Sequence, residues 1–259
     1  MKTPKIPVGL IQINAGFSGQ HYFPYSVGIL QAYAEKHLPE PEKFEFLPPV
    51  YRRLRVAEAV EQLQEAVIVC FSAYVWNVHL SLAIAAKIKR RQPDTLIVFG
   101  GPQVPRHDRP WEIEEFLKKN SFVDLAIHGP GEKSFAAVLE HGLSGNWKAI
   151  PSASFSFGNP LFLLGSESRG NTVLLFGENF CQTGLAPSFK DLSEIPSPYA
   201  SGVFDSLMAA NPEEKWIGLW ETDRNCPFSC TFCGWGLLEN KPTFWPMEHV
   251  RRDVDWFAG

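Results

Sequence analysis

Cys226, Cys230 and Cys233 stand at C-x3-C-x2-C spacing in Cys226-Pro227-Phe228-Ser229-Cys230-Thr231-Phe232-Cys233, directly after the strand-like run Lys215-Trp216-Ile217-Gly218-Leu219-Trp220. Thiolates bind soft metals, and three on one short loop can hold three irons of a [4Fe–4S] cube. The fourth iron then stays open to a ligand, and an open iron is a place for chemistry. Three cysteines cannot close a tetrahedral structural zinc site, and the nearest histidine, His249, falls at the wrong spacing for a knuckle or finger. Zinc with a distant fourth ligand is the alternative left open. Disulfides are disfavoured by the odd total of five cysteines and by the lack of a secretory leader.

The rest of the composition narrows the setting. At 259 residues there is room for one large domain or two modest ones. A net charge of −4 implies no nucleic-acid or membrane surface. No apolar stretch approaches the roughly 20 residues that span a bilayer. The start, Met1 to Lys5, leads into a strand too short for a signal h-region. The expected compartment is the cytoplasm, in keeping with an oxygen-sensitive cluster.

Upstream of the cysteines, strands and helices alternate. Val8–Ile13, Phe44–Leu47, Val67–Phe71, Thr95–Phe99 and Val123–Ile127 read as short, nearly continuous apolar strands, the pattern of a buried parallel sheet. Between them the periodicity predicts helices near Tyr25–His37, Arg55–Gln64, Val78–Arg91 and Glu112–Asn120, and Glu132–Leu139 closes the series. Such β–α units specify an α/β, doubly wound parallel sheet of Rossmann type. Ligands of such sheets bind beyond the carboxyl ends of the strands. The informative residues cluster there: Ser72, Tyr74, Trp76 and Asn77 after the third strand; Gly100, Gly101, Pro102 and Gln103 after the fourth; Gly129, Pro130, Gly131 and Glu132 after the fifth. Glycines at such ends let a bulky planar ligand approach the backbone. No G-x-G-x-x-G follows the first strand, so a nicotinamide or flavin has little support. The bland alternative is a doubly wound unit that only docks a second domain, with Trp76 a packing residue. Cys70, inside the third strand, reads as a small buried hydrophobe, and Cys181 has no partner at metal-ligand spacing.

The stretch from Glu221 to Gly236 resembles the cluster loop of radical S-adenosylmethionine (SAM) enzymes. The resemblance implies that Cys226, Cys230 and Cys233 ligate the cube, that SAM chelates the free iron, and that one electron cleaves it to a 5′-deoxyadenosyl radical. By position, Phe232 lies beside the SAM adenine, and Gly234 and Trp235 belong to the same SAM site. The three strand-end segments in turn resemble the cobalamin-binding domain that precedes the barrel in one large radical SAM class. That likeness implies cobalamin contacts from Ser72, Tyr74, Trp76, Asn77, Gly100, Gly101, Pro102, Gln103, Gly129, Gly131 and Glu132. Two departures stand out. The Asp-x-His-x-x-Gly signature is absent, with Asn14-Ala15-Gly16 where it would start, so base-off binding is expected with first-loop residues or the Trp76 indole near the lower face. His21 could ligate cobalt from that loop, as a minor alternative. Pro130 stands where the class more often has Glu, and removes one N–H donor.

Three segments follow: 1–144 as the cobalamin-binding domain, 145–212 as a small β-rich connector, and 213–259 as the first part of a radical SAM β/α barrel. The connector is expected to hold a hairpin within Ala153–Phe176 and a proline-stiffened run, Asp191 to Tyr199. After the cysteines, Pro246 opens a helix to Phe257 with Val250, Val254 and Phe257 on one face. A single βα unit cannot bury its own faces. Trp216, Trp220, Trp235, Trp245 and Trp256 are therefore expected to be partly exposed, and the chain to be the front of a longer enzyme. The resemblance implies a methyltransferase that moves a methyl group from methylcobalamin to an unactivated carbon of a small molecule or peptide. An electron donor such as flavodoxin or ferredoxin is also implied. The alternatives are a non-methylating relative that performs cyclisation or rearrangement, and a non-catalytic cobalamin-binding module.

Overall fold

Short apolar runs become the strands of a computed structural model, which describes residues 4–156, 173–175 (backbone only), 180–228, 230–233 and 241–259. Gly234 and Trp235 lie outside the described residues. The first unit runs β1 (Ile6–Ile11), β2 (His21–Tyr22), α1 (Tyr25–His37), β3 (Phe44–Phe46), α2 (Val56–Gln62), β4 (Ile68–Ser72), α3 (Val78–Arg91), β5 (Leu96–Gly100), α4 (Pro110–Lys119), β6 (Leu125–Ile127) and α5 (Glu132–His141). Beyond it come β7 (Ala153–Ser156), β8 (Val173–Leu175), β9 (Phe180–Thr183), α6 (Asp205–Ala210), β10 (Trp216–Ile217), β11 (Asp223–Arg224), β12 (Thr243–Phe244) and α7 (Met247–Ala258). No described helix is long and apolar enough to cross a membrane.

The main sheet has the order β3-β1-β4-β5-β6-β7-β9-β8. Its first five strands are parallel, as the apolar runs predict. Every residue of β4 is buried, because this central strand is covered on both faces. One core packs α2, α3 and α4 on one face through Val60, Leu63, Ile84, Ile88, Ile113 and Leu117. The other packs α1 and α5 on the opposite face through Val27, Ala34, Leu38, Phe135 and Val138. The sheet is thus doubly wound. At the amino end of β6, Lys89 Nζ donates to both carboxylate oxygens of Asp124 at 3.0 and 2.8 Å, and the Ile97 N–H donates to the same carboxylate at 2.7 Å.

Among the described residues, β7 and β8 do not pair with each other as the hairpin expected within Ala153–Phe176 would have them do. β7 pairs antiparallel with β9, and β8 pairs with the other edge of β9, so all three extend the main sheet beyond β6. The third segment is fastened to the first. β10 pairs in parallel with β2, inside the loop that follows β1. Phe23 stacks on Trp216 at 4.6 Å between ring centres, and Tyr199 of the connector packs on Trp256 at 4.9 Å. The Tyr199 hydroxyl also donates to the Leu219 carbonyl at 2.5 Å and accepts from the Leu219 N–H at 3.0 Å. Trp245, expected to be partly exposed, is buried against Ile29, Tyr33, Phe189 and Ile195. α7 is turned one residue from its expected phase: Asp253 faces inward and takes the Trp220 indole N–H at 3.1 Å, while Val254 is exposed.

Candidate functional site

The strand order reverses between β1 and β4: from β1 the chain moves to β3 on one side, and thereafter to β4, β5 and β6 on the other. At such a switch point the loops leave in opposite directions and open a crevice at the carboxyl ends of the strands. The loop after β1 turns at Ser18 and Gly19, both at positive φ, between Phe17 and Gln20, which exchange backbone hydrogen bonds at 2.9 Å. It presents Phe17 to solvent, 65% exposed. The loop after β4 presents Val75 and Trp76, and the 49% exposed Trp76 lies flat on Tyr74, at 4.6 Å and 10°. The Tyr74 hydroxyl is held by Ser26 Oγ at 2.7 Å. Apolar side chains exposed on both sides of the crevice are surface that a planar hydrophobic ligand would cover.

The residues beneath this shelf have other duties. Asn77 is buried, its amide donating to the carbonyls of Ile13 and Ser72 at 3.0 and 3.1 Å and its carbonyl oxygen accepting from the Tyr74 N–H at 2.8 Å. It ties the ends of β1 and β4 together and has no surface for a cofactor, contrary to the direct contact expected. Ser72 is likewise buried. Gly100 and Gly101 dock the β5 loop on the β4 loop: the Ala73 N–H donates to the Gly100 carbonyl at 2.8 Å and the Gln103 N–H to the Ala73 carbonyl at 3.1 Å. Gly101 has φ +97°, and a Cβ there would stand 2.8 Å from the Ala73 oxygen and 2.9 Å from its nitrogen. Pro102, Gln103 and Gly129 are exposed, and Gly129, at φ +69°, faces open space. Gly101→Ala is therefore expected to cost about 2 kcal/mol or more in a urea titration and to weaken corrin binding. Gly129→Ala carries only the backbone strain, about 1 kcal/mol.

Asn14, in the loop after β1, has a buried side-chain amide nitrogen with no hydrogen-bond partner among the described residues. With the aromatic shelf and the glycine-lined ends, this orphaned donor fits a large planar ligand carrying polar edges, as cobalamin does. His21, the minor alternative as a cobalt ligand, is paired through Nδ1 with the Glu214 carboxylate, which Arg52 also holds. Burial pushes that carboxyl up, but His21 and Arg52 outweigh it and leave it below the usual carboxylate range.

The cysteines lie on a loop whose two ends are pinned by antiparallel pairing of β11 with β12, Asp223 opposite Phe244 and Arg224 opposite Thr243. Asn225 turns the chain into it at φ +69°. Cys226 and Cys233 are half-buried, Cys230 is exposed, and all three are free thiols. The Cys233 N–H donates to the Cys230 carbonyl at 3.1 Å. Among the described residues, no three of His, Cys, Asp and Glu stand close enough together to hold a metal ion. The donor set fits an iron–sulfur cluster by its chemistry, with three free, accessible thiols on one tethered loop. Phe232 is 92% exposed. By contrast Cys70 and Cys181 are buried, and burial pushes the Cys70 thiol up and the Cys181 thiol up to about 11.

Between the two regions lies a contact that the cysteine and glycine patterns do not announce. Arg224, in β11, donates through Nη2 to Glu132 Oε1 at 2.6 Å, and its Nε and Nη2 donate to Glu221 at 3.2 Å. Its guanidinium lies over the Trp245 ring, 5.1 Å from the centre. Glu132 thus reaches the cluster loop, although its place at the end of the β6 loop suggested a corrin contact. Burial works against the Arg224 charge, but Glu132 and Glu221 outweigh it and hold the guanidinium firmly protonated. Burial pushes the Glu221 carboxyl up against the pull of Arg224. It also raises the phenol of Tyr25, helped by the Glu221 charge.

No protein-family model matches the chain. It is 32% identical over 249 residues to the cobalamin-dependent radical SAM methyltransferase TokK of Streptomyces tokunonensis, an alignment covering 94% of this chain and 33% of that protein. It is 29% identical, over 263 aligned residues, to the 2-(S-pantetheinyl)-carbapenam-3-carboxylate methyltransferase of Streptantibioticus cattleyicolor, covering 100% of this chain and 35% of that protein. The chain thus spans about a third of the length of the curated relatives it matches.

Proposed function

The chain belongs to the cobalamin-dependent radical SAM enzyme family, and we propose on that premise that it forms the cofactor-holding part of a C-methyltransferase. The observation that carries this reading is likeness to the radical SAM methyltransferase TokK over 94% of the chain, which takes in both the strand-end loops and the cysteine triad. When bound, the cluster supplies the electron that turns SAM into a 5′-deoxyadenosyl radical, and cobalamin supplies the methyl group. Cys226, Cys230 and Cys233 would hold the cluster, with Phe232, Gly234 and Trp235 beside SAM. Around the corrin, Trp76 on its Tyr74 backing and Phe17 across the crevice would keep the lower face dry. Ser72 and Asn77 hold the β4 loop in place from beneath. Gly100, Gly101, Pro102, Gln103, Gly129 and Gly131 bring backbone close to the corrin edge. The work of these residues is positional: it holds reacting groups near one another and excludes water.

The substrate class is a small molecule with an unactivated carbon as methyl acceptor. A relative named for a carbapenam carboxylate favours this class over a peptide. A flavodoxin or ferredoxin in the cytoplasm would supply electrons. The reading is tested by iron, sulfide and corrin content after anaerobic reconstitution of the chain with iron, sulfide and hydroxocobalamin. About four irons and one base-off cobalamin per chain are expected. Iron without cobalamin would sink the methyltransferase reading, and cobalamin without iron would leave a corrin-binding module.

A further inference from the structure

Glu132 and Arg224 are 92 residues apart in sequence and 2.6 Å apart in space. Glu132 is the first residue of α5, and directly before it stands Gly129-Pro130-Gly131, the segment at the carboxyl end of β6 that faces the expected corrin. Arg224 lies two residues before Cys226, in the strand whose pairing with β12 closes the cysteine loop. Both partners are withdrawn from water: the side chain of Glu132 is 3% exposed and that of Arg224 16%. A buried carboxylate survives only where a cation and further donors compensate it. Yet among the described residues Glu132 Oε2 has no partner, and the carboxylate's one ion pair there is with the cluster loop. Arg224 is itself gripped from the loop side by Glu221 and stacked on Trp245. The bond therefore joins two short, stiff levers, one ending at a glycine-jointed loop and the other at a cluster ligand.

We propose that Glu132 and Arg224 form a latch between the corrin-side loop and the cluster loop, so that cobalamin binding and cluster assembly favour one another. The proposal rests on the cofactor reading above and adds to it a coupling between the two sites. Either cofactor must order the loop it touches. Ordering one end of the latch fixes the position of the other and lowers what the second cofactor must spend on order. Coupling of this kind is reciprocal: the factor by which the cluster tightens cobalamin equals the factor by which cobalamin tightens the cluster. Glu132 and Arg224 act here as positioning residues and touch neither reacting group.

The test is a pair of titrations. Hydroxocobalamin is added, and followed by corrin absorbance, to anaerobic chain carrying its reconstituted cluster and to the same chain left iron-free. The cluster-loaded form is expected to bind more tightly, by a factor on the order of 5 to 150. Iron should also leave more slowly to a chelator when cobalamin is bound. Glu132→Gln keeps the side-chain volume and one acceptor but removes the charge, and is expected to bring the affinity ratio close to one. Arg224→Lys keeps the charge without the fork and is expected to reduce the ratio partway. Equal cobalamin affinity in the two forms of the unaltered chain overturns the latch while leaving both cofactor sites standing, and this comparison needs no variant to fold. A ratio undiminished in both variants overturns it too. Failure of the unaltered chain to take up iron or cobalamin at all overturns the cofactor reading, and the latch with it.

Discussion

Alanine in place of any one of Cys226, Cys230 and Cys233 is expected to lower reconstituted iron from about four per chain to background, whereas Cys70→Ala and Cys181→Ala leave it unchanged. The contrast follows from where the thiols sit. A metal takes the thiolate, so a ligand cysteine must be reachable and able to lose its proton. The three loop cysteines are free, Cys230 exposed and Cys226 and Cys233 half-buried. Cys70 and Cys181 are buried in the sheet, at 5% and 0% exposure, and burial drives both thiols away from ionisation. Cluster assembly would bring the three thiolates together, with the metal–thiolate bonds offsetting the freedom the loop loses. Pinning the two ends through β11 and β12 already limits that freedom. Loss of one thiolate removes both a bond and the closure of the ring, so a graded loss of iron is not expected. Iron and sulfide analysis of the five single variants decides the matter: full iron in any of the three loop variants would remove that cysteine from the ligand set.

Much of the doubly wound sheet is readable from residue order, because a parallel strand covered on both faces must be apolar throughout. Val67 to Phe71 announces β4, and Pro93 marks the end of the helix that becomes α3 (Val78–Arg91). Strand order is another matter. The reversal between β1 and β4 is a property of pairing, and no run of apolar residues encodes it. The same is true of β7, which sits between β6 and the short, partly polar Phe180-Cys181-Gln182-Thr183, while β8, nearer in sequence than β9, lies beyond it. Burial of Trp245 depends on Ile29 and Phe189, which come from two other segments. Asn77 looks from the sequence like a ligand contact because it stands in a cofactor-like loop. Its three backbone partners show that it builds the loop instead. Arg224 was legible only as a neighbour of cysteines. An arginine in a short strand, facing a glutamate at a distant helix start, gives no local signal; the guanidinium acquires its role when the two loops meet.

The fold beneath the cofactor loops also carries a marked response to acid. His128 directly follows β6 and stands before Gly129, buried at 4% exposure. Its Nδ1–H donates to the Pro105 carbonyl at 3.0 Å, and Nε2 accepts from the Ser154 hydroxyl at 2.9 Å. That pattern satisfies the neutral ring and, among the described residues, gives an imidazolium no ion-pair partner. Burial, with a smaller push from the His107 charge, brings the His128 pKa down to about 4 from its ordinary 6.5, the Pro105 carbonyl opposing only weakly. Above pH 6.5 the ring is neutral both folded and unfolded, and ionisation contributes nothing to stability. As pH falls below 6.5 the unfolded chain takes up the proton and the folded chain does not, so stability is lost until about pH 4, where the folded ring ionises as well. The full loss is about 3 kcal/mol, of which about 2 kcal/mol is already present at pH 5. Urea titrations of the unaltered chain and of His128→Gln at pH 7 and pH 5 isolate this contribution. The variant is expected to be less stable at pH 7, through its poorer fit, but to lose about 2 kcal/mol less than the unaltered chain on going to pH 5. Parallel losses in the two proteins would assign the acid limb to the carboxylates instead. Because His128 anchors the loop that ends in Glu132, the same window should mark where cobalamin affinity begins to fall in the unaltered chain and not in His128→Gln.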